Sequence, residues 1–207
     1  MNKKNDIRID TTLIHPWLKY KLTKLLAKCN EQGIYLIITE GFRTVEYQDK
    51  LYAQGRTTKG SIVTYAKGSD YSSQHQWGIA FDIAINDNTH LYDLNYIQKV
   101  ANIAKSVGLA WGGDWTDFKD YPHFYLKKWG NTTTILKLLY RTSDKFKKTW
   151  YAKVNRKDGL NIWDKTKKKK KKLVKNGKQV SVFYKHLIWS KVQYGDTVGY
   201  MRTKYLK

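Results

Sequence analysis

The spacing of apolar residues predicts alternating helices and strands in the first part of the chain. Between Thr12 and Gly33 apolar residues recur at helical spacing, with a proline near the start and a glycine at the end. The run IYLIIT at 34–39 is β-branched and apolar, which predicts a buried strand. The segment 45–55 then has the pattern of a helix that ends at a glycine.

The same pattern continues to about residue 142. The predicted elements are a short strand at 62–65, a strand at 81–85, a helix at 91–107, a strand at 109–111 that runs into a Gly-Gly turn, a strand at 123–126 and a helix at 135–142. Residues 1–148 are therefore expected to contain both helices and strands.

Helical periodicity disappears after about Thr149. Short β-like pieces follow, separated by Asp-Gly, Asn-Gly and Gly-Asp turn signals, which predicts a small all-β barrel. We therefore predict two domains, 1–148 and 149–207. The run KKKKKK at 167–172 is expected in a hairpin loop or on an exposed strand, because six adjacent like charges cannot be buried.

The charge of the chain changes the interpretation of this second domain. The formal net charge is +22, and residues 149–207 carry 17 Lys and Arg against 3 Asp. Such a cationic part indicates a polyanionic partner, either nucleic acid, an anionic membrane or an anionic cell wall, although a solvated basic face is an open alternative. We find no nucleic-acid-binding motif and expect no nucleic-acid partner.

The beginning of the chain has early lysines but no apolar signal-peptide core, and no stretch predicts a transmembrane span. We expect the protein to be made in the cytoplasm and kept there unless another route releases it. A single cysteine excludes an intrachain disulfide and a cysteine-based metal site.

Candidate chemistry lies in the stretch SSQHQWGIAFDIAI at 72–85. Strand alternation places Asp82 on the face opposite Phe81 and Ile83, and Gly78 offers the bend that could bring His75 to the same place. Imidazole and carboxylate are good zinc ligands, and a catalytic zinc takes three protein ligands and keeps one open position.

A second fragment, KDYPHFY, offers the remaining groups. His123 opens a predicted strand after a tight turn and is the best candidate for the third ligand, while Asp120 is placed to act as general base and general acid on a water. Arg43 could hold a substrate carboxylate or an oxyanion. Each group also has a structural alternative, since His75 could simply bond Asp82, Asp120 could cap a turn, and Arg43 could be an ion-pair partner.

The stretch 72–83 resembles the signature S-x-H-x-x-G-x-A-x-D of the LAS metallopeptidases, the group of D-alanyl-D-alanine carboxypeptidases, VanX/VanY-type enzymes and L-alanyl-D-glutamate peptidases. The matching positions are Ser73, His75, Gly78, Ala80 and Asp82. The fragment DYPH resembles the second element of that group. The segments GFRTVEYQDKLYAQGRTTKGSIVT and WGGDWTDFKDYPHF are similar to the L-alanyl-D-glutamate endopeptidases, so the resemblance spans residues 41–125.

This resemblance implies a LAS-type (hedgehog/D-Ala-D-Ala peptidase-like) domain with an antiparallel sheet and flanking helices. It implies one zinc ion per chain, held by His75, Asp82 and His123. An aspartate stands in this chain where VanX-type enzymes have a glutamate as catalytic acid and base, which favours the endopeptidase subgroup.

The resemblance also implies roles for three further residues. Asp120 is the implied catalytic acid and base, and Arg43 maps to the arginine that engages substrate near the scissile bond. Ser73 maps to the family serine, with a supporting or substrate-contact role.

The C-terminal part resembles bacterial SH3 (SH3b) domains, which commonly bind peptidoglycan and carry no catalytic residue. The matching pieces are 159–161, 177–180, 189–192, 199–200 and 205–206. The usual Arg-Ser after the first of these is replaced by Trp163-Asp164.

Together these resemblances predict a monomeric, zinc-dependent hydrolase that cuts the L-alanyl–D-glutamyl bond of the peptidoglycan stem peptide. Its SH3b domain would bind cell-wall polymers, and its role would be bacteriolytic, as a phage endolysin released through a holin pore or as an autolysin-like enzyme. The alternatives are a D,D-carboxypeptidase or dipeptidase with the same site, and a non-catalytic wall-binding protein.

Overall fold

The computed structural model describes residues 4–207 and divides the chain into two compact units. The first unit runs to Ser143 and the second from Asp144 to Lys207. The helix Ser143–Lys147 lies between this division and the boundary predicted after residue 148. The assignment of a separate function to each side of that boundary stays a prediction.

The first unit is a mixed α+β domain, as the family resemblance implies. Its strands are β1 (Asp6–Ile7), β2 (Leu36–Glu40), β3 (Ala80–Ile85), β4 (Ala110–Trp111) and β5 (His123–Tyr125). Its helices are α1 (Pro16–Glu31), α2 (Val45–Ala53), α3 (Leu94–Ser106) and α4 (Thr134–Tyr140), and α5 is the helix Ser143–Lys147 at the junction. Short 3-10 helices at Gln74–Trp77, Gly112–Asp114 and Lys127–Trp129 complete the unit.

The strands form one sheet in the order β1-β2-β3-β5-β4. Strand β1 pairs with β2 in parallel, whereas the other three pairings are antiparallel. The central strand β3 is buried almost throughout, and Phe81, Ile83 and Phe124 are completely buried. The core therefore lies around β3, and this makes β3 a rigid base for any side chain at its polar position.

The short strand predicted at 62–65 is wrong, because this segment is irregular. The amide of the buried Gln48 donates to Thr64 Oγ1 and to the carbonyl of Ala66, which directly follows the segment. Ile62, Val63 and Tyr65 are 46%, 49% and 67% exposed, so the apolar run does not enter the core.

After α5 the second unit consists of β-strands, turns and one short 3-10 helix. Its strands are β6 (Tyr151–Lys153), β7 (Leu160–Trp163), β8 (Lys170–Val174), β9 (Gln179–Tyr184), β10 (Trp189–Tyr194) and β11 (Thr197–Arg202), with a 3-10 helix at Thr203–Tyr205. They pair antiparallel in the order β6-β9-β10-β11-β7-β8 over an apolar cluster of mainly valine, leucine and isoleucine. The edge strands β6 and β8 are not paired with each other, so the small barrel predicted from the sequence is not found as a closed barrel.

The lysine run at 167–172 is exposed to solvent, as its charge predicts. Lys170, Lys171 and Lys172 stand on the exposed edge strand β8, and the preceding lysines form the turn from β7. Among the described residues, no helix has both the length and the apolar content that a membrane crossing requires.

Candidate metal centre

Asp82 is placed by the register of the central strand. It is the one position of β3 that is not fully buried, and its strand neighbours are Glu40 on β2 and His123 on β5. Because residues opposite each other on antiparallel strands point to the same face, the side chains of Asp82 and His123 are brought together directly. The side chain of Asp82 is 17% exposed, so it opens onto the surface at the edge of the core.

His75 reaches the same point from a short 3-10 helix that precedes β3. The Ser73 side chain caps this helix and accepts from the amide of His75, while the Gln76 side chain accepts from the amide of Ser73. The helix ends at Gly78, whose φ of 63° lies in the left-handed region that favours glycine. The bend predicted at Gly78 is confirmed, and Ser73 acts on the conformation of the histidine segment.

The three candidate ligands converge. His75 Nε2 lies 3.1 Å from His123 Nδ1 and 3.2 Å from Asp82 Oδ1, and His123 Nδ1 lies 3.0 Å from the same carboxylate oxygen. In a tetrahedral zinc site with ligands at 2.0–2.2 Å, neighbouring ligand atoms are about 3.3 Å apart. The spacing of these side chains therefore fits a zinc ion.

In each imidazole, the hydrogen-bond partner of the nitrogen that faces away from Asp82 determines whether the nitrogen that faces Asp82 carries a hydrogen. His75 Nδ1 lies 2.7 Å from the carbonyl of Gly41, which can only accept, so this nitrogen carries the hydrogen. His123 Nε2 lies 2.7 Å from Gln74 Oε1, whose amide nitrogen donates to the carbonyl of Asn131. Each neutral imidazole thus turns a lone pair toward Asp82, which is the arrangement a cation requires.

Electrostatics keep these groups in the ligating state. Burial lowers the pKa of His75, which favours the neutral imidazole. Burial acts to raise the pKa of Asp82, but the two adjacent histidines outweigh it and hold that pKa well below its usual value, so the carboxylate is ionised. The set is therefore one carboxylate and two imidazoles around one point.

Arg43 binds Oδ2 of Asp82, the carboxylate oxygen that does not face the histidines. Its Nη2 donates to Asp82 Oδ2 at 3.1 Å, its Nη1 donates to Gln48 Oε1 at 3.3 Å, and its Nε lies 3.2 Å from Glu40 Oε2. This leaves Oδ1 of Asp82 as the oxygen that faces the histidines. The ion-pair alternative for Arg43 is thus present, and its contact with substrate stays a prediction.

Asp120 lies at the turn that leads into β5. The amide of His123 donates to the carbonyl of Asp120, and the amide of Asp120 donates to the carbonyl of Gly112. A Cβ at residue 112 would come within 2.5 Å of that Asp120 carbonyl, so a glycine is needed for the two segments to meet. Burial raises the pKa of the Asp120 side chain, which favours a group that can hold a proton.

These groups lie in one cleft of about 700 Å³. Arg43, Ser73, His75, Asp82, Asp120 and His123 all line it, so every site residue expected from the sequence is brought to the same cavity. Tyr65 and Phe118 approach edge to face at its rim, with ring centroids 5.5 Å apart. Asp114 and Asp117 also line the cleft, so it carries acidic groups beside those of the candidate site.

Sequence reasoning missed the residues that orient the ligands. Gln74 fixes the ring of His123, and the buried Gln48 fixes the guanidinium of Arg43. Both are ordinary polar residues in the sequence, and only their burial shows that they have a role. Gln74 does stand directly before His75, which is the one signal that could have drawn attention to it.

Comparison with known proteins places this site in a family. A family model described as D-alanyl-D-alanine carboxypeptidase matches residues 67–126, the segment that contains all three candidate ligands and Asp120. The peptidoglycan L-alanyl-D-glutamate endopeptidase CwlK of Bacillus subtilis (strain 168) is 45% identical over 121 residues, which cover 53% of this chain and 71% of that protein.

Two further proteins are more distantly similar to this chain. The L-alanyl-D-glutamate peptidase of Listeria phage A118 is 31% identical over 116 residues, which cover 53% of this chain but only 37% of the phage protein. The crystal structure of the Serratia marcescens L-Ala D-Glu endopeptidase ChiX superposes with a TM-score of 0.42 at 20% identity, over 56% of this chain and 81% of that one. The 45% identity to the Bacillus protein, over 71% of its length, shows the family: the chain belongs to the M15 family of peptidases.

Proposed function

We propose that this protein is a zinc-dependent peptidoglycan endopeptidase that hydrolyses the bond between L-alanine and D-glutamate in the stem peptide. The observation that carries the proposal is the convergence of His75, Asp82 and His123 with unprotonated atoms 3.0–3.2 Å apart. The bond is proposed from the Bacillus and phage relatives, both of which are named for it.

His75, Asp82 and His123 would hold the zinc ion, which when bound polarises a carbonyl group and lowers the pKa of water. Asp120 accepts the proton from the attacking water and then delivers it to the amino group of the departing D-glutamyl residue. The water oxygen forms the new bond to the alanyl carbonyl carbon, and the C–N bond breaks. The raised pKa of Asp120 suits both halves of this transfer.

The other cleft residues prepare the site. Arg43 holds the outer oxygen of Asp82, and Ser73 holds the short helix of His75, so both position ligands. We further propose that Arg43, which lines the cleft, contacts the substrate near the scissile bond. The second unit, with most of the positive charge of the chain, would retain the enzyme at the cell wall, in the manner of an SH3b domain.

The bond can be identified by digesting purified peptidoglycan and labelling the new amino termini before mass spectrometry. A new amino-terminal D-glutamate or its amide, absent with the Asp120→Asn variant, is the expected result. Release of free D-alanine without new amino termini would instead show the D,D-carboxypeptidase alternative. Absence of any product would favour the non-catalytic wall-binding alternative.

The biological role is proposed as lysis of the bacterial wall. The similarity to a phage peptidase supports an endolysin, and a holin pore would then release it to its substrate. Lysis of intact cells from outside and from within, compared for the same quantity of enzyme, tests whether release is the limiting step.

A further inference from the structure

The second unit contains a cationic cleft that the metal centre does not explain. Its volume is about 460 Å³, within the range of roughly 300–1,000 Å³ typical of ligand sites. Four cations line it: Arg156, Lys167, Arg202 and Lys204. Throughout this unit, all of which the structure describes, no aspartate lines the cleft and none forms a salt bridge with these four residues.

Aromatic rings hold these cations in place. The guanidinium of Arg202 lies 4.5 Å from the ring centroid of Trp189, its partner in the register of β10 and β11. The guanidinium of Arg156 and the ammonium of Lys204 lie 5.3 Å and 5.0 Å from the ring of Tyr205. Trp189 and Tyr205 both line the cleft.

A cation held by a ring face differs from one held by a carboxylate. Stacking fixes the position of the guanidinium but leaves its N–H donors unused, whereas an ion pair would consume them. Two arginines fixed in this way offer forked donors that match the oxygens of phosphate. The cleft is therefore prepared for an anion with several oxygens.

We propose that this cleft binds the phosphodiester groups of an anionic cell-wall polymer of the teichoic-acid type, made of polyol phosphate or sugar phosphate units. This inference rests on the proposed function, because the substrate of the peptidase is found beside such polymers. Trp163 meets Trp189 edge to face, with centroids 6.4 Å apart, and the two rings offer flat apolar surface to the CH groups of a polyol or sugar. The exposed lysines of β8 extend the positive charge beyond the cleft.

The test measures binding of the Asp120→Asn protein to purified Gram-positive walls. One sample of the walls is untreated, and the other has been treated with cold hydrofluoric acid before the protein is added. That treatment cleaves phosphodiesters and leaves peptidoglycan, so we expect affinity to fall at least about tenfold. The pair Arg202→Gln and Lys204→Gln should give a similar loss on untreated walls. The matched pair Lys153→Gln and Lys178→Gln, with the same charge change at exposed positions outside the cleft, should lose about twofold at most.

Three results would overturn the proposal. Equal binding to treated and untreated walls would assign retention to peptidoglycan itself. Equal losses in the two variant pairs, with unchanged thermal unfolding, would show diffuse attraction instead of a site. Single-stranded DNA and purified polymer can also be compared as competitors at equal phosphate concentration. If the DNA displaces the protein from walls as effectively as the polymer does, the cleft has no preference for the wall polymer.

The proposed endopeptidase function is tested by a separate reaction. The wild-type protein should release new amino termini from soluble stem peptides that carry no polymer. Failure of that reaction contradicts the endopeptidase proposal and leaves the wall-binding measurement intact, whereas cleavage without polymer-dependent binding contradicts only the cleft.

Discussion

Replacement of Gln74 by leucine should weaken zinc binding, although Gln74 is not a ligand. Its Oε1 accepts from His123 Nε2 at 2.7 Å, and the residue is only 5% exposed, so water cannot replace it easily. Without this acceptor the hydrogen of the neutral imidazole can move to Nδ1. There it would donate to Asp82 Oδ1, 3.0 Å away, and block the lone pair that zinc needs.

The expected loss of zinc affinity follows from the hydrogen bond between His123 Nδ1–H and Asp82, which stabilises the tautomer that cannot bind zinc. A bond from a neutral donor to a carboxylate contributes about 1.5–3 kcal/mol. Zinc binding must overcome it, so the dissociation constant should rise about 10- to 100-fold, the range typical for loss of an outer partner of a metal-bound histidine.

Competition of the purified protein with a fluorescent zinc chelator measures this change. Gln74→Glu is the matched control, because a carboxylate at this position still accepts from His123 Nε2 and should keep the affinity within about tenfold of the wild type. If Gln74→Leu is folded and binds zinc within about twofold of the wild type, the proposed control of the His123 tautomer is refuted.

Three further outcomes are expected. Asp120→Asn should abolish hydrolysis of walls while metal analysis still finds about one zinc per chain. His123→Ala should lose the metal in the same analysis. Because burial lowers the pKa of His15 from 6.5 to about 3, the folded state resists its protonation, and the free energy of unfolding should fall as the pH drops through this window. In denaturant titrations this fall should be steeper than in His15→Asn, by about 1.4 kcal/mol per pH unit.

Each of these outcomes has a result that contradicts it. Hydrolysis by Asp120→Asn at the wild-type rate would remove Asp120 from proton transfer. Full zinc occupancy in His123→Ala would remove His123 from the ligand set. Parallel pH profiles for the wild type and His15→Asn would show that folding does not lower the pKa of His15.

The sequence predicted most of the elements because their signals are local. Pro16 and the helical spacing of leucines identify α1, and the apolar run of β3 identifies the central strand. The segment 62–65 has an equally apolar pattern, yet the Thr64 hydroxyl and the carbonyl of the following Ala66 bond to Gln48, far away in sequence. A local pattern does not contain that partner, so the strand prediction failed there.

The candidate ligands were predictable for a different reason. Strand alternation and the glycine after His75 limit the directions in which His75 and Asp82 can point, and the resemblance to the metallopeptidase signature adds the rest. Register between β3 and β5 is what brings His123 opposite Asp82, and no local pattern predicts it. The same holds for the cationic cleft, where Trp189 meets Arg202 only through the pairing of β10 and β11.

The position of Arg43 shows how the site divides the two oxygens of one carboxylate. If the guanidinium were absent, both oxygens of Asp82 could turn toward His75 and His123. With Arg43 on Oδ2 and the imidazoles at Oδ1, the carboxylate is fixed in one orientation. Gln48 fixes the arginine in turn, and the same Gln48 amide holds the loop that lines the cleft. The orientation of Asp82 and the position of the cleft loop therefore both depend on the buried Gln48. A change that displaces this loop should also alter the orientation of Asp82.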